Sequence, residues 1–323
     1  MTAWRPSSGP DAARRRAELL RRFRAYFDAT TMLEVATPAL STTAVSDLHI
    51  ETLEVRSSLS NAPLYLHTSP EFCMKRLLAA GYPDIYSICR VFRDGENGRY
   101  HQPEFTLVEW YRLGFGLREM IADTVSALAT ALDDPALADE HDTVNFRDVF
   151  VDVVGADPID ASIAELAHAA GADADLTTTI GDERSDWLDL ILTTKITPTF
   201  AAHKFTILQH YPASLAALAR RCPADAAVAD RFEVFMGPVE LANGYVELTD
   251  AAEQKKRMAT DSDDRLRRGR PVRPEDGALL AALESGMPAC AGVAVGLERL
   301  QMINDKTGDI GNVVTFTFEA RNE

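Results

Sequence analysis

The sequence predicts an α+β fold, an antiparallel β-sheet flanked by helices, on three observations. Alternating apolar runs recur as close neighbours, at 84 to 113 and again in "RFEVFMGPVELANGYVEL", as antiparallel strands joined by short connections do. Stretches of helical apolar spacing stand before, between and after these runs, without the regular strand-helix alternation of a parallel sheet. The chain of 323 residues, 46% of them hydrophobic, is long enough to bury a full core.

Residues 11 to 30, "DAARRRAELLRRFRAYFDAT", place Leu19, Leu20, Phe23, Tyr26 and Phe27 at helical spacing with arginines on the other side and Asp11 as N-cap. "MLEVATPAL" follows as a short strand halted by Pro38, and this helix-strand pair suits either ordinary core or a subunit contact. "TSPEFCMKRLLAAG" reads as a loop in which Ser69 and Pro70 start a helix ending near Gly81. Strand, Gly-rich loop and strand occupy 84 to 113, and a helix runs from about 117 to 132. Asp133 to Asp189 holds sixteen acids against Arg147 and Arg184 alone, the composition of a solvated helical insertion, placed at about 133–200. "KFTILQHYP", the run from Arg231 and "GVAVGLERL" return to strand, the last leading into a helix, with an exposed polar helix and loop expected over 252–277.

A formal net charge of -16 repels a polyanion at long range and disfavours nucleic acid as a partner. No run reaches the length of a membrane span, and the start lacks the apolar core of a signal peptide, so a cytoplasmic, membrane-free protein is expected. Cys73, Cys89, Cys222 and Cys290 show no CxxC pairing and no histidines at metal spacing, which argues against a disulfide framework or a zinc site.

Period-two alternation in "EFTLVEWYR" puts Phe105, Leu107, Glu109 and Tyr111 on one face. A carboxylate beside a phenol on an apolar face suits an ammonium taken out of water; a strand end at the sheet margin is the simpler alternative. If the turn of the Arg231 run is Gly237-Pro238, then Phe235 faces Glu240 and Glu233 faces Ala242, so that both carboxylates share a face and reach one divalent cation. Strict alternation turns Glu247 away from Glu240 unless a bulge intervenes near Asn243-Gly244. In "GVAVGLERL", Gly292, Ala294 and Gly296 leave one face nearly bare, either for a substrate or for tight helix packing, with Arg299 able to reach a phosphate. Arg93 and Arg99 flank "DGEN", and no GxxxxGK[ST] loop occurs. Together these features ask for a nucleoside triphosphate with magnesium beside a cationic small molecule.

In this order the segments resemble the class II aminoacyl-tRNA synthetases of the lysyl type. "MLEVATPAL" is similar to motif 1, "FRDGENGRYHQPEF" with "TLVEWY" to motif 2, and "GVAVGLERL" to motif 3. The resemblance implies a single catalytic domain over 1–323 that uses ATP and Mg2+, binds a lysine-type amino acid and forms a homodimer. Full lysyl enzymes carry an N-terminal anticodon-binding domain, whereas here the motif 1 helix begins almost at the first residue. The chain looks like the paralogs without that domain, which activate (R)-β-lysine and transfer it to a lysine of elongation factor P, so tRNA is not the expected acceptor.

The same resemblance implies residue roles. Arg93 and Arg299 would hold the α- and γ-phosphates. Glu233 and Glu240 would hold magnesium, and Asp94, Gly95, Glu96, Gln102, Phe105, Leu241 and Gly296 would lie along the nucleotide. Glu109, Tyr111 and Glu247 would bind the terminal ammonium, with Ser69, Pro70 and Glu71 at the other amino group. Ala294 stands where tRNA-charging lysyl enzymes typically carry Gly, and its methyl favours a β-amino over an α-amino group. Motif 2 usually reads Arg-x-Glu, but here Gly95 takes the Glu position and the acid moves to Glu96; Gln102 replaces a usual Asn. A truncated enzyme using L-α-lysine and a non-catalytic amino acid-binding paralog are the alternatives.

Overall fold

The structure, a computed structural model, describes residues 4–319 and divides into two compact units. Met1–Phe115, Thr130–Asp133 and Leu248–Glu323 form the first; Gly116–Ala129 and Asp134–Glu247 form the second. Among the described residues no helix is long and apolar enough to cross a membrane.

In the first unit the strands Leu33–Glu34, Ile85–Phe92, Glu104–Leu113 and Cys290–Gly296 lie side by side in that order. The two pairings around Glu104–Leu113 are antiparallel. The helix Pro10–Ala29 buries Leu19, Phe23 and Phe27 completely, and Phe27 stacks on Tyr86 at 4.2 Å and meets Trp110 at 5.3 Å. Each such aromatic contributes about 1.5–3 kcal/mol by leaving water. On the other face, Ile85 and Tyr111 pack with Met74 and Leu78 of the helix Glu71–Ala79, Met258 of Ala251–Arg267, and Leu279 and Leu283 of Gly277–Glu284. The sheet is therefore covered on both faces, as its nearly continuous burial over 106–112 requires.

The helices expected from Ser69-Pro70 to near Gly81 and over 117–132 form as Glu71–Ala79 and Leu117–Leu132, whereas the first begins differently. Its N-cap is Gly9 with Pro10 at N1, and Asp11 sits inside the first turn, paired with Arg14 at 2.5 Å. Proline at N1 costs no hydrogen bond, and a carboxylate in that turn complements the helix dipole.

The polar segment 252–277 forms the largely exposed helix and loop expected, with one buried side that was not anticipated. Its helix Ala251–Arg267 carries Arg265 at 0% exposure, with Nη2 donating to both oxygens of Glu51 at 2.8 Å and Nη1 to the Asp47 carbonyl at 2.7 Å. Burial raises the Glu51 carboxyl, but Arg265 and Arg273 outweigh it and hold the group below the usual carboxylate range. A depressed folded pKa contributes stability that is present above the ordinary value and lost as pH falls through the depressed one. Glu51→Gln should therefore cost about 2 kcal/mol at pH 7 by leaving a buried guanidinium short of its counter-charge. Thermal unfolding followed across pH checks this: the gap from wild type should close in acid.

In the second unit the strand order is Val239–Val246, Arg231–Met236, Phe205–Gln209, His141–Asn145. Helices Phe146–Val154, Ile163–Ala170 and Arg184–Ile191 close a core containing Phe146, Phe150, Leu166, Trp187, Ile191 and Leu208. Ile163–Ala170 starts with a capping box, Ser162 Oγ accepting from the Glu165 N–H while the Glu165 carboxylate accepts from the Ser162 N–H at 2.7 Å. Within the acidic segment, the strand His141–Asn145 was not expected, because "HDTVN" lacks apolar alternation. It pairs in parallel with Phe205–Gln209, as Leu33–Glu34 does with Ile85–Phe92. Parallel pairing needs a long crossover, which the helices after Asn145 supply.

The hairpin turns at Gly237-Pro238, with Gly237 in the left-handed region at φ +54 that a two-residue turn needs. Met236 pairs with Val239 and Phe235 with Glu240, as expected, but the register then shifts, so that Val234 pairs with Ala242 and Glu233 with Asn243. The bulged residue is Leu241, ahead of the Asn243-Gly244 position anticipated. One extra residue reverses alternation, so Glu233, Glu240, Asn243, Tyr245 and then Glu247 follow one face.

Candidate active site

In the first unit the site is built on the strand Glu104–Leu113. Glu109 is 3% exposed and Tyr111 2%. The Tyr111 hydroxyl donates to Glu109 Oε1 at 2.8 Å, and Ser69 Oγ donates to Oε2 at 2.8 Å while accepting the Glu71 N–H at 3.0 Å. The carboxylate is thus held by two hydroxyl donors. Register places Ala294 directly opposite Glu109, Gly292 opposite Tyr111 and Gly296 opposite Leu107. The bare face of the motif 3 strand therefore adjoins the carboxylate and phenol, with the Ala294 methyl as its one projection. Ser87 lies across the other side of Glu109. The neighbouring Cys89 thiol is pushed up to about 12, by burial and then by the Glu109 charge, which leaves it inert.

Ser69, Pro70 and Glu71 sit at the N-terminus of the helix Glu71–Ala79, where Pro70 is the cap. Ser69 turns toward Glu109, so the two sets expected at opposite ends of the substrate share a hydrogen bond. Glu71 accepts from Lys75 Nζ at 2.5 Å, and Lys75 is 2% exposed. Sequence reasoning passed over Lys75, although its i,i+4 spacing from Glu71 on one helix was a readable signal.

The loop between the strands carries the arginine. Arg93 lies over the Phe105 ring at 5.1 Å, its Nη1 is 3.5 Å from Glu96, and its Nε is buried with no hydrogen-bond partner among the described residues. A buried guanidinium N–H without an acceptor costs free energy that a phosphate oxygen would recover. Gly95 adopts φ +77, a conformation that suits glycine, and accepts a turn from Asp94, whose Oδ1 takes its N–H at 2.9 Å. Glu96, displaced by one position from the usual acid, is in this way brought to Arg93. Gln102 is 4% exposed and uses its amide internally: Nε2 donates to Asn97 Oδ1 at 3.3 Å and Oε1 accepts the Phe318 N–H at 2.6 Å. These bonds pin the loop.

On the helix Leu297–Asn304 adjacent residues divide the work. Glu298, 2% exposed, accepts the Thr106 N–H at 2.9 Å and Arg16 Nη1 at 3.0 Å. Arg299 Nη2 contacts His101 Nε2 at 2.5 Å, and since a guanidinium only donates, the ring nitrogen is the acceptor of this contact. His101 is 198 residues away in sequence and had no local signal. A Cβ on Gly296 would meet Arg299 Cδ at 3.9 Å, ordinary contact, so this glycine is not forced by crowding.

The second unit holds the remaining candidates. Glu233, 7% exposed, accepts from Arg231 Nη2 at 2.5 Å, and Arg231 also donates to Asn243 at 3.2 Å and lies over the Tyr211 ring at 4.5 Å. Burial pushes the Glu233 carboxyl up to about 7; Arg231 opposes the rise and the nearby Glu240 charge adds to it. Two carboxylates on one face, one of them resisting ionisation, form a donor set that a divalent cation would relieve. Glu247 is 2% exposed at the end of this strand, next to a bridge between Ala219 and its own backbone, and the bulged Leu241 is 1% exposed. Arg231 and Asn243 were not anticipated, since their meeting depends on the shifted register.

A profile of the family "tRNA synthetases class II (D, K and N)" matches residues 3–320. The elongation factor P–(R)-β-lysine ligase of Pseudoalteromonas translucida is 40% identical over 319 residues, 97% of each chain. Ligases of the same name from Sodalis glossinidius and Vibrio cholerae are each 39% identical, covering 98% of both chains.

Proposed function

The chain belongs to the class II tRNA synthetases of the D, K and N type and is an ATP-dependent aminoacyl ligase; from this premise we propose that it activates (R)-β-lysine and passes it to a lysine ε-amine of elongation factor P. In the first step the amino acid carboxylate attacks the α-phosphorus in line, the new P–O bond gives an aminoacyl adenylate, and pyrophosphate leaves. In the second, the ε-amine attacks the acyl carbon and AMP leaves as the amide forms.

We assign Arg93 and Arg299 to the phosphates, where fixed donors stabilise the charge that develops on the equatorial oxygens. Phe105, Asp94, Gly95, Glu96, Gln102, Leu241 and Gly296 are assigned to the nucleotide. Glu233 and Glu240 would hold Mg2+, which supplies charge neutralisation and orientation of the phosphates. Glu109, Tyr111 and Glu247 take the terminal ammonium, and Ser69, Pro70 and Glu71 shape the other amino end. No side chain acts as a covalent nucleophile; positioning and electrostatics carry the rate.

The observation that carries the substrate reading is Ala294 directly across from Glu109. Ser69, assigned to the other amino end, hydrogen-bonds Glu109, so we assign this methyl to crowding an α-amino group while leaving room for a β-amino group. Ala294→Gly should therefore raise the preference for L-α-lysine over (R)-β-lysine by about 10- to 200-fold in kcat/KM. The ratio of pyrophosphate exchange rates with the two amino acids measures this independently of any loss in stability.

A protein acceptor fits the charge. The first-helix arginines are paired with acids: Arg14 with Asp11, Arg15 with Asp305, Arg16 with Glu298, Arg21 and Arg22 with Glu18, and Arg24 with Glu34. Such a face is a poor match for tRNA phosphates. We also propose a homodimer through the motif 1 region, in which Leu33 and Leu40, 45% and 41% exposed in a single chain, would be covered. A cytoplasmic location follows from the acceptor.

ATP–pyrophosphate exchange with (R)-β-lysine, L-α-lysine and no amino acid tests the reading. Preference for (R)-β-lysine is the expected result, followed by AMP release and a mass increase of elongation factor P. Better use of L-α-lysine would favour a truncated lysyl enzyme, and no exchange with either would favour an amino acid-binding paralog.

A further inference from the structure

The second unit carries an open cleft of about 810 Å³ between the segment 117–126 and the strands His141–Asn145 and Phe205–Gln209, with Ile121, Val125, Thr143 and Gln209 on its walls. Three side chains with metal-binding donors line it together. His210, Cys222 and Asp230 bring an imidazole nitrogen, a thiol and a carboxylate oxygen within 4.8 Å of one another. We propose that these three residues form a binding site for a divalent transition-metal ion of the zinc class, separate from the Glu233 and Glu240 carboxylates.

The donor set selects the ion. Nitrogen, sulfur and oxygen ligands together suit a borderline-soft cation, whereas Mg2+ and Ca2+ take oxygen ligands. Donors around zinc stand about 3–4 Å apart at zinc bond lengths of 2.0–2.3 Å, so rotamer adjustments of about 1 Å close the set. Three protein ligands leave a coordination position for water, for which the cleft has room.

The scaffold holds the three in place independently of the ligands. His210 follows the strand Phe205–Gln209 in the left-handed region at φ +58, and its N–H donates to the Arg231 carbonyl at 3.0 Å. A non-glycine residue in that conformation carries a backbone cost that the surrounding pairing must hold. His210 Nδ1 is buried with no hydrogen-bond partner among the described residues. Asp230 is 4% exposed, and its N–H donates to the Arg220 carbonyl at 3.0 Å, drawing Cys222 close. Period-two alternation sends Asp230 and Phe232 to the face opposite Arg231 and Glu233, and Gln209, which pairs with Phe232, lines the cleft. The site therefore lies on the other side of the strand from the candidate magnesium ligands.

Arg220 is the competing cation, its Nε donating to Asp230 Oδ2 at 2.8 Å from a side chain 40% exposed. The metal would use the second carboxylate oxygen or displace the guanidinium. No spacing rule finds this site: His210 stands twelve residues before Cys222 and Asp230 eight after, so cysteine spacing carries no signal of a set assembled by tertiary structure.

Co2+ titration of the chelator-stripped full-length protein tests the proposal. One equivalent should bind with a thiolate-to-cobalt charge-transfer absorption that Zn2+ displaces. The band should vanish in Cys222→Ser while pyrophosphate exchange persists, and Arg220→Ala should tighten binding about fivefold by removing the cation on Asp230. Absence of a saturable band in both the wild type and Arg220→Ala would overturn the proposal. So would a band unchanged in Cys222→Ser, because another thiol would then own it.

Discussion

Arg93→Ala is expected to lower kcat/KM for ATP–pyrophosphate exchange by about 10³-fold, some 4 kcal/mol of lost transition-state stabilisation. The side chain has few anchors of its own: a 3.5 Å approach to Glu96, a ring face at Phe105, and a buried Nε with no partner among the described residues. Removing it should leave the unfolding temperature nearly unchanged, which separates a phosphate ligand from a structural residue. Arg93→Lys should recover only a small part of the rate, because an ammonium lacks the planar fork that meets two oxygens at once. Exchange reduced less than tenfold in Arg93→Ala would remove Arg93 from the phosphate site.

Glu109→Gln should raise KM for the amino acid by about 10²-fold or more while KM for ATP stays within a few-fold of wild type. Glutamine matches the carboxylate in shape, can accept from Ser69, and can donate to the Tyr111 oxygen, so the strand and its hydroxyl partners persist. What disappears is the negative charge in a position 3% exposed, where a cation taken out of water depends on it. Equal losses in KM for both substrates would indicate collapse of the site instead, and unchanged amino acid KM would place the ammonium elsewhere.

Much of the local structure was legible because apolar periodicity is a local property. The helix at 117–132, the strands within 84–113 and the turn at Gly237-Pro238 agree with the sequence because each is set by neighbours a few residues apart. The family was legible for a related reason: its motifs are short, ordered segments with distinctive residues. The strand His141–Asn145 escaped because its polar side chains carry no alternation, and its place is decided by pairing with residues sixty-four positions later.

The sequence by itself determined the fold class and the order of the motifs, through apolar periodicity and short distinctive segments, and the resemblance those segments carry nominated the candidate residues. Tertiary structure alone decided the relations among them. The register that sets Ala294 against Glu109, the bulge at Leu241 that returns Glu247 to the face of Glu240, and the meetings of Arg299 with His101 and of Glu71 with Lys75 belong to the folded chain. So does the convergence of His210, Cys222 and Asp230. The physical reason is that one residue of strand register reverses every side chain beyond it, and register is chosen by the summed packing of a whole sheet and not by any single segment.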